Sequence, residues 1–206
     1  MSPNAIPAVE PRAARPLVLA STSRYRRELL ARLRLPFATA SPGADEMPWS
    51  GEAPAATALR LAEAKARSVA RAWPDALIIG SDQVADVDGE AVSKPGTHAA
   101  ARQQLARLSG KTVVFHTGLA LLDARSGSCA TALVDVVSRF RPLSTSAIDA
   151  YLAHERPYDC AGSVKSEALG IALFESIESD DPTALIGLPL IRLTSMLLAA
   201  GMPVLR

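Results

Sequence analysis

Ala76-Leu77-Ile78-Ile79 is a short run that is apolar on both faces of a pleated strand, and it breaks abruptly into Gly80-Ser81-Asp82-Gln83. A strand apolar on both sides must be covered on both, so the run predicts an internal strand in a sheet with helices packed over it. The break places Asp82 where the sheet ends. A carboxylate there is costly unless a metal, a cation or hydrogen bonds satisfy it. Taken alone, Asp82 reads as an aspartate that turns the chain. Twelve residues on, Lys94 precedes Pro95, which biases it toward an extended backbone with the side chain projecting from the turn.

The rest of the chain alternates strand-like and helix-like segments. Pro16 to Ala20 predicts a first strand, Arg24 to Leu33 a helix capped by the serines of Ser21-Thr22-Ser23, and Phe37 to Ala40 a second strand. An irregular acidic segment with Asp45-Glu46 leads to an alanine-rich helix over Thr57–Ala72. Asp88-Gly89 marks a hairpin between Val84–Val87 and Glu90–Val92, with Asp86 and Asp88 as turn and surface carboxylates. Thr97 caps a helix from His98 to Leu108 that Gly110 ends. Strands follow over Val113–Leu122 and Ala132–Arg141, then a helix from Ser144 to Leu152, a strand over Ile171–Phe174 and a last helix, Leu190 to Ala200.

With 206 residues the chain is long enough for one domain or two lobes sharing a core. Residues 16–206 read as a single domain, and the Ala- and Pro-rich segment 1–15 as a disordered extension lacking the apolar core of a signal peptide. Lys and Arg number 22 against 21 acidic residues, so no basic excess points to nucleic acid; a small charged substrate fits better. A local cluster, Arg24-Tyr25-Arg26-Arg27, is the sole argument for RNA or DNA. No run approaches membrane-spanning length, and Cys129 and Cys160 read as reduced thiols of a cytoplasmic protein.

Several apparent motifs fail. Ser109-Gly110-Lys111-Thr112 resembles the end of a phosphate-binding loop, but Leu105 stands where that loop needs its first glycine. His154 with Cys160 lacks partners for a metal or thiol site, and His98 and His116 need no function. What holds is a set of charges on strand exits or apolar faces: Arg26, Glu46, Lys65, Asp82 and Lys94. Lys65 is the clearest, because at about 100° per residue it falls inside the stripe Ala58, Leu61, Ala62, Ala66, Val69. It either snorkels out along its stem or points at an anion. Three cations and two carboxylates suit a metal-bound polyphosphate, with Ser21, Ser23 and the first helix amides as further anion donors.

Leu19-Ala20-Ser21-Thr22-Ser23 with Arg26-Arg27, Asp45-Glu46, Glu63-Ala64-Lys65-Ala66, Gly80-Ser81-Asp82, Lys94-Pro95 and Gly187-Leu188-Pro189 together resemble the Maf family of nucleoside triphosphate pyrophosphatases. The likeness runs in order from Leu17 to about Ala200. It implies an α/β fold, an elongated mixed β-sheet flanked by helices, related to the inosine triphosphatase-like fold, with a cleft between two lobes. It implies hydrolysis of a nucleotide between its α- and β-phosphates with a divalent metal, Mg²⁺ or Mn²⁺, and a homodimer. By the same resemblance Asp82 is the catalytic aspartate, as general base or metal ligand, and Glu46 shares the metal. Arg26, Lys65, Lys94 and Ser21 hold phosphates.

Tyr25, Gln83 and Glu167 look like the 7-methyl-GTP branch, where the dTTP and UTP enzymes usually carry Arg, Thr and Gln. A 7-methylguanine is cationic, so a ring can stack on it and a carboxylate can accept from its Watson–Crick edge. The branch more typically has tryptophan at the Tyr25 position and proline at that of Arg24, so selectivity is expected to be looser. Lys165, two residues before Glu167, either pairs with it or reaches a phosphate if the stretch is extended. A dTTP or UTP enzyme and a non-catalytic nucleotide-binding regulator of cell division are the competing readings.

Overall fold

The computed structural model describes residues 15–205. Within them one mixed sheet contains β1 (Leu17–Ala20), β2 (Ala38–Ala40), β3 (Leu77–Val87), β4 (Glu90–Val92), β5 (Thr112–Asp123), β6 (Cys129–Phe140) and β7 (Phe174–Glu178). The order is β2-β1-β3-β5-β6-β7, with β4 hydrogen-bonded to β3. Around it lie α1 (Arg24–Ala31), α2 (Pro54–Val69), α3 (His98–Leu108), α4 (Thr145–Glu155) and α5 (Leu190–Ala199). β1 runs parallel to β2 and β3, while β3, β5, β6 and β7 are antiparallel in turn.

β3 and β5 are long enough to serve two lobes. Leu77 and Ile79 on β3, with Leu119 and Leu121 on β5, pack on α1 and α5 through Leu29, Leu30, Leu193 and Leu197. On the opposite face Ile78, Ala120 and Leu122 receive Ala62, Ala66 and Val69 of α2. The apolar-on-both-faces run is thus covered on both faces, as expected. The other halves of the same strands, Ala85, Val87, Val113 and Phe115, join Leu105, Leu108, Ile148 and Leu152 of α3 and α4 in a separate core. At about 1.5–3 kcal/mol for each large side chain buried, each lobe is held by its own interior, and the continuous strands fix one against the other.

Four expectations need correction. Asp82 is not at the end of its strand: β3 continues to Val87, held by antiparallel pairing to β5 that reaches Asp86↔Val114. The strand over Ile171–Phe174 is instead a 3₁₀ turn, Leu169–Leu173, and β7 begins where the strand was to end. Gly170 is the reason, since a Cβ there would lie 2.4 Å from the Lys165 carbonyl oxygen, so the chain is coiled on itself rather than extended. Lys165 and Glu167 are likewise not on an extended segment; Ser166–Ala168 is a turn. α2 starts at Pro54 rather than Thr57, because proline at the first helical position has no amide to leave unbonded.

The extension expected over residues 1–15 falls outside the described residues except for Arg15, whose guanidinium bonds Asp123 and the carbonyls of Asp75 and Ala76. No helix among the described residues is long and apolar enough to cross a membrane.

Candidate active site

The edge of β3 that faces β1 is paired only as far as Ile79, and β4 takes up that edge only from Ala85. Gly80 to Val84 therefore open onto a cleft between the lobes, with Asp82 at its middle. The sheet-end position read from the sequence belongs to the neighbouring strand, not to β3.

Lys65 of α2 reaches this point from the helix face turned to the sheet. Its ammonium lies 2.6 Å from Asp82 Oδ1 and 2.9 Å from Glu46 Oε1. Both Lys65 and Asp82 are buried, at 5% and 9% exposed, so the lysine points at anions rather than out along its stem. The two carboxylates flank one cation. Burial raises the Glu46 carboxyl, but Lys65, with Lys94 and Arg26 behind it, outweighs that and holds it below the ordinary carboxylate value.

One side of the cleft is lined by Ser21, Ser23, Arg26, Glu46, Lys65 and Lys94. Ser21 Oγ accepts from the Ser23 amide, and Ser23 caps α1 by accepting from the Arg26 amide. That cap presents the first turn of α1, and Arg26 with it, to the cleft. Arg26 donates to the Gly187 carbonyl at 2.8 Å, and the same oxygen takes a bond from Ser81 on β3. Burial lowers the Arg26 pKa, with Asp82 and Glu46 pulling it back up. Gly187, at φ +116°, adopts a conformation few other residues reach.

The cleft continues to Tyr25, Gln83, Asp159, Cys160, Val164 and Glu167, with Asp82 on its wall. Gln83 Nε2 lies within 3.2 Å of Thr117 Oγ1 and of the Ala184 and Leu185 carbonyls. Its amide nitrogen is spent inward, leaving the carbonyl oxygen without a hydrogen bond among the described residues. Tyr25 accepts from Arg24 at 2.8 Å, and the Arg24 guanidinium stands 4.7 Å from its ring centre. One face of Tyr25 already carries a cation. All the residues expected at the site are thus brought to one cleft: Ser21, Tyr25, Arg26, Glu46, Lys65, Asp82, Gln83, Lys94 and Glu167.

Lys165 is not among them. Its ammonium bonds the Glu155 carbonyl and lies 3.8 Å from the Glu155 carboxylate, so it neither pairs with Glu167 nor faces the phosphate side. Cys160 is held as the neutral thiol, its pKa pushed up to about 12 by burial and then by Asp159, which removes it as a nucleophile. His116 lies between Asp135 at 2.7 Å and Asp86 at 3.3 Å, its two ring nitrogens turned to different carboxylates. Among the described residues no three His, Cys, Asp or Glu side chains are arranged so that they could together hold a metal ion.

Two contributors were passed over in the sequence. Asp159 lines both halves of the cleft, and as a loop aspartate it carries no distinguishing signal. Asp181 is 2% exposed and caps α5, accepting from the amides of Ile191 and Arg192 while also holding Thr183. It fixes the turn that supplies the Ala184, Leu185 and Gly187 carbonyls to Gln83 and Arg26. The signal was present as Asp181-x-Thr183, a pattern whose side chains bond their own turn.

Glu46 itself rides on a stretch without regular structure, residues 41–53. Arg60 of α2 grips this stretch: Nε and Nη2 each lie 2.6 Å from a Glu52 carboxylate oxygen, and Nη2 also donates to the Met47 carbonyl. The Arg60 pair drives the Glu52 pKa from its ordinary 4.5 to about 2. A carboxylate depressed on folding stabilises the protein above its unfolded pKa and loses that contribution as pH falls through the folded one. Glu52→Gln should therefore lower Tm at neutral pH, with the gap from wild type closing between about pH 4.5 and 2. Thermal melts across that range check it, and a pH-independent gap would refute it.

Comparison with known proteins agrees with the geometry. A 7-methyl-GTP pyrophosphatase of Paraburkholderia xenovorans is 60% identical over 194 residues, 92% of this chain and 94% of its own. Those so named from Thiobacillus denitrificans and Cupriavidus metallidurans are 59% and 57% identical, each across 94% of its own length and 92% and 91% of this one. The family model for Maf-like proteins spans residues 16–200, which takes in both lobes and the whole cleft, and the chain belongs to the Maf family.

Proposed function

We propose that this protein hydrolyses 7-methyl-GTP between the α- and β-phosphates, releasing 7-methyl-GMP and diphosphate. The observation that carries the reading is the cleft itself, in which Tyr25, Gln83 and Glu167 share a wall with Asp82 and adjoin the cationic side with Lys65, Arg26 and Lys94. The names borne by relatives at 57–60% identity support the same substrate.

In this reading the base lies toward Tyr25 and Glu167. Glu167 accepts from the ring N–H and amino group, and Tyr25 stacks on the cationic ring, by the face that Arg24 leaves or after Arg24 swings away. Arg26, Lys94 and the α1 amides receive the phosphates. Water attacks the α-phosphorus, the bond to the bridging oxygen breaks, and diphosphate leaves with that oxygen. The water proton passes to a carboxylate, Asp82 or Glu46, and cations at the phosphates offset the charge that builds in the transition state. Glu46 and Asp82 are hard oxygen donors of the kind Mg²⁺ or Mn²⁺ takes together with phosphate oxygens, and they would hold it. When bound, such an ion polarises the phosphate and lowers the pKa of a water. The protein acts as a cytoplasmic homodimer in this account.

A panel of 7-methyl-GTP, GTP, dTTP and UTP with purified protein and Mg²⁺ or Mn²⁺ tests the reading. Wild type should prefer 7-methyl-GTP, and Glu167→Gln should lower its kcat/KM at least about tenfold more than that of UTP, since a charged hydrogen-bond partner is worth about 1.5–3 kcal/mol. Equal losses on both substrates would sink the assignment to the methylated base. Pyrophosphate release from dTTP or UTP in preference would move the chain to the pyrimidine reading, and binding without turnover to a sensor.

A further inference from the structure

Glu46 is delivered to the site by a stretch that has no strand or helix of its own, and its side chain is 56% exposed. Something must hold the stretch in place, or the 2.9 Å contact to Lys65 would be one conformation among many. The contacts that do so converge on one side chain. Arg60 makes a two-pronged bond to Glu52, donates to the Met47 carbonyl at 3.1 Å, and stacks its guanidinium 4.2 Å from the Trp49 ring centre. Glu52 in turn accepts from the Trp49 amide and the Thr57 hydroxyl. Met47 and Trp49 are 70% and 67% exposed, so apolar burial contributes little to fixing the segment.

We propose that Arg60 is a positioning residue of the active site, clamping residues 47–52 onto α2 so that the adjoining Glu46 is presented to Lys65 and Asp82. The inference rests on the functional reading of Glu46 and Asp82 given above. Arg60 and Lys65 stand on the same helix, so one rigid element both supplies the central cation and holds the loop that brings the second carboxylate to it. Arginine suits the task because its planar fork can take a carboxylate and stack on an indole at once; lysine cannot do both.

A double-mutant cycle with a fluorescence readout tests this. On the nucleotide that wild type hydrolyses best, Arg60→Ala should lower kcat by about ten- to a hundredfold with a smaller change in KM, the signature of lost orientation. Arg60→Lys should restore only part of it. In a Glu46→Ala background the same Arg60→Ala change should cost less than about threefold, because the group that it positions is gone. In a Trp73→Phe background, Trp49 emission should become more accessible to acrylamide in Arg60→Ala, with no nucleotide present. Equal losses in both Glu46 backgrounds would overturn the proposal, as would unchanged quenching of Trp49. Should wild type hydrolyse no nucleotide, the functional reading fails, while the quenching comparison still decides the clamp.

Discussion

Asp82→Asn should reduce pyrophosphate release by about a thousandfold while leaving the protein folded, a loss in the range typical of removing a group that moves a proton or binds the reacting charge. The substitution keeps an oxygen 2.6 Å from the Lys65 ammonium, so the buried hydrogen bond can persist. Glu46 still offers a full negative charge to the same cation. Lys65→Met would be a poorer test, because it leaves Asp82 and Glu46 facing each other with no cation between them, and breaking a buried pair costs about 3–5 kcal/mol. In that variant folding and chemistry fail together. With asparagine they separate: circular dichroism and Tm report the fold, single-turnover release of diphosphate reports the chemistry. A loss below about tenfold in a folded Asp82→Asn protein would reduce Asp82 to a counter-ion for Lys65.

Lys65 was legible because a charge in an apolar helical stripe violates a periodic pattern, and periodic patterns survive into structure. The same holds for β3, β5 and β6, whose β-branched and apolar runs announce strands, and for the caps at Thr97 and Ser144, which accept the amides of Ala100 and Ala147. What misled was Gly80-Ser81-Asp82-Gln83. These residues are weak strand formers, and local propensity reads them as an exit. They remain in the strand because β5 pairs with them throughout, a non-local constraint that no window of neighbouring residues contains. The 3₁₀ turn at Leu169–Leu173 hid for a similar reason. Its apolar residues suggested a strand, yet Leu169 and Ile171 are 43% and 55% exposed, and the coil is imposed by Gly170 closing on Lys165. Lys65, on a regular element, could be reasoned from spacing. Glu46 and Lys94, on irregular segments, were placed by their position between elements, whereas Tyr25, Gln83 and Glu167 came to the cleft only through family resemblance.

Gly80→Ala should cost at least about 3 kcal/mol, the upper range for forcing a methyl into a filled interior, and lower Tm by about 10 °C in a chain of this size. A Cβ on Gly80 would stand 2.0 Å from the Ala62 carbonyl oxygen and 2.9 Å from the Ala66 amide nitrogen. Both are helix backbone, so no rotamer change can relieve the clash. Gly118, directly opposite Asp82 in the ladder, meets α2 in the same way, with its Cβ position 2.2 Å from the Ala58 carbonyl oxygen. The two glycines and the alanine stripe of α2 let helix and sheet backbones touch. That contact has a chemical consequence, because Gly80 and Asp82 share a face of β3 while Ala62, Ala66 and Lys65 ride on the helix above them. A helix lifted by even an ångström draws the ammonium out of its 2.6 Å contact with Asp82. The Gly80→Ala protein should therefore lose turnover at temperatures where it is still folded, and Gly118→Ala should do the same. Thermal melts paired with activity well below each variant's Tm check both halves. A Gly80→Ala protein melting within about 2 °C of wild type would show that α2 can move off the sheet without cost, and that the glycines are not what brings Lys65 to Asp82.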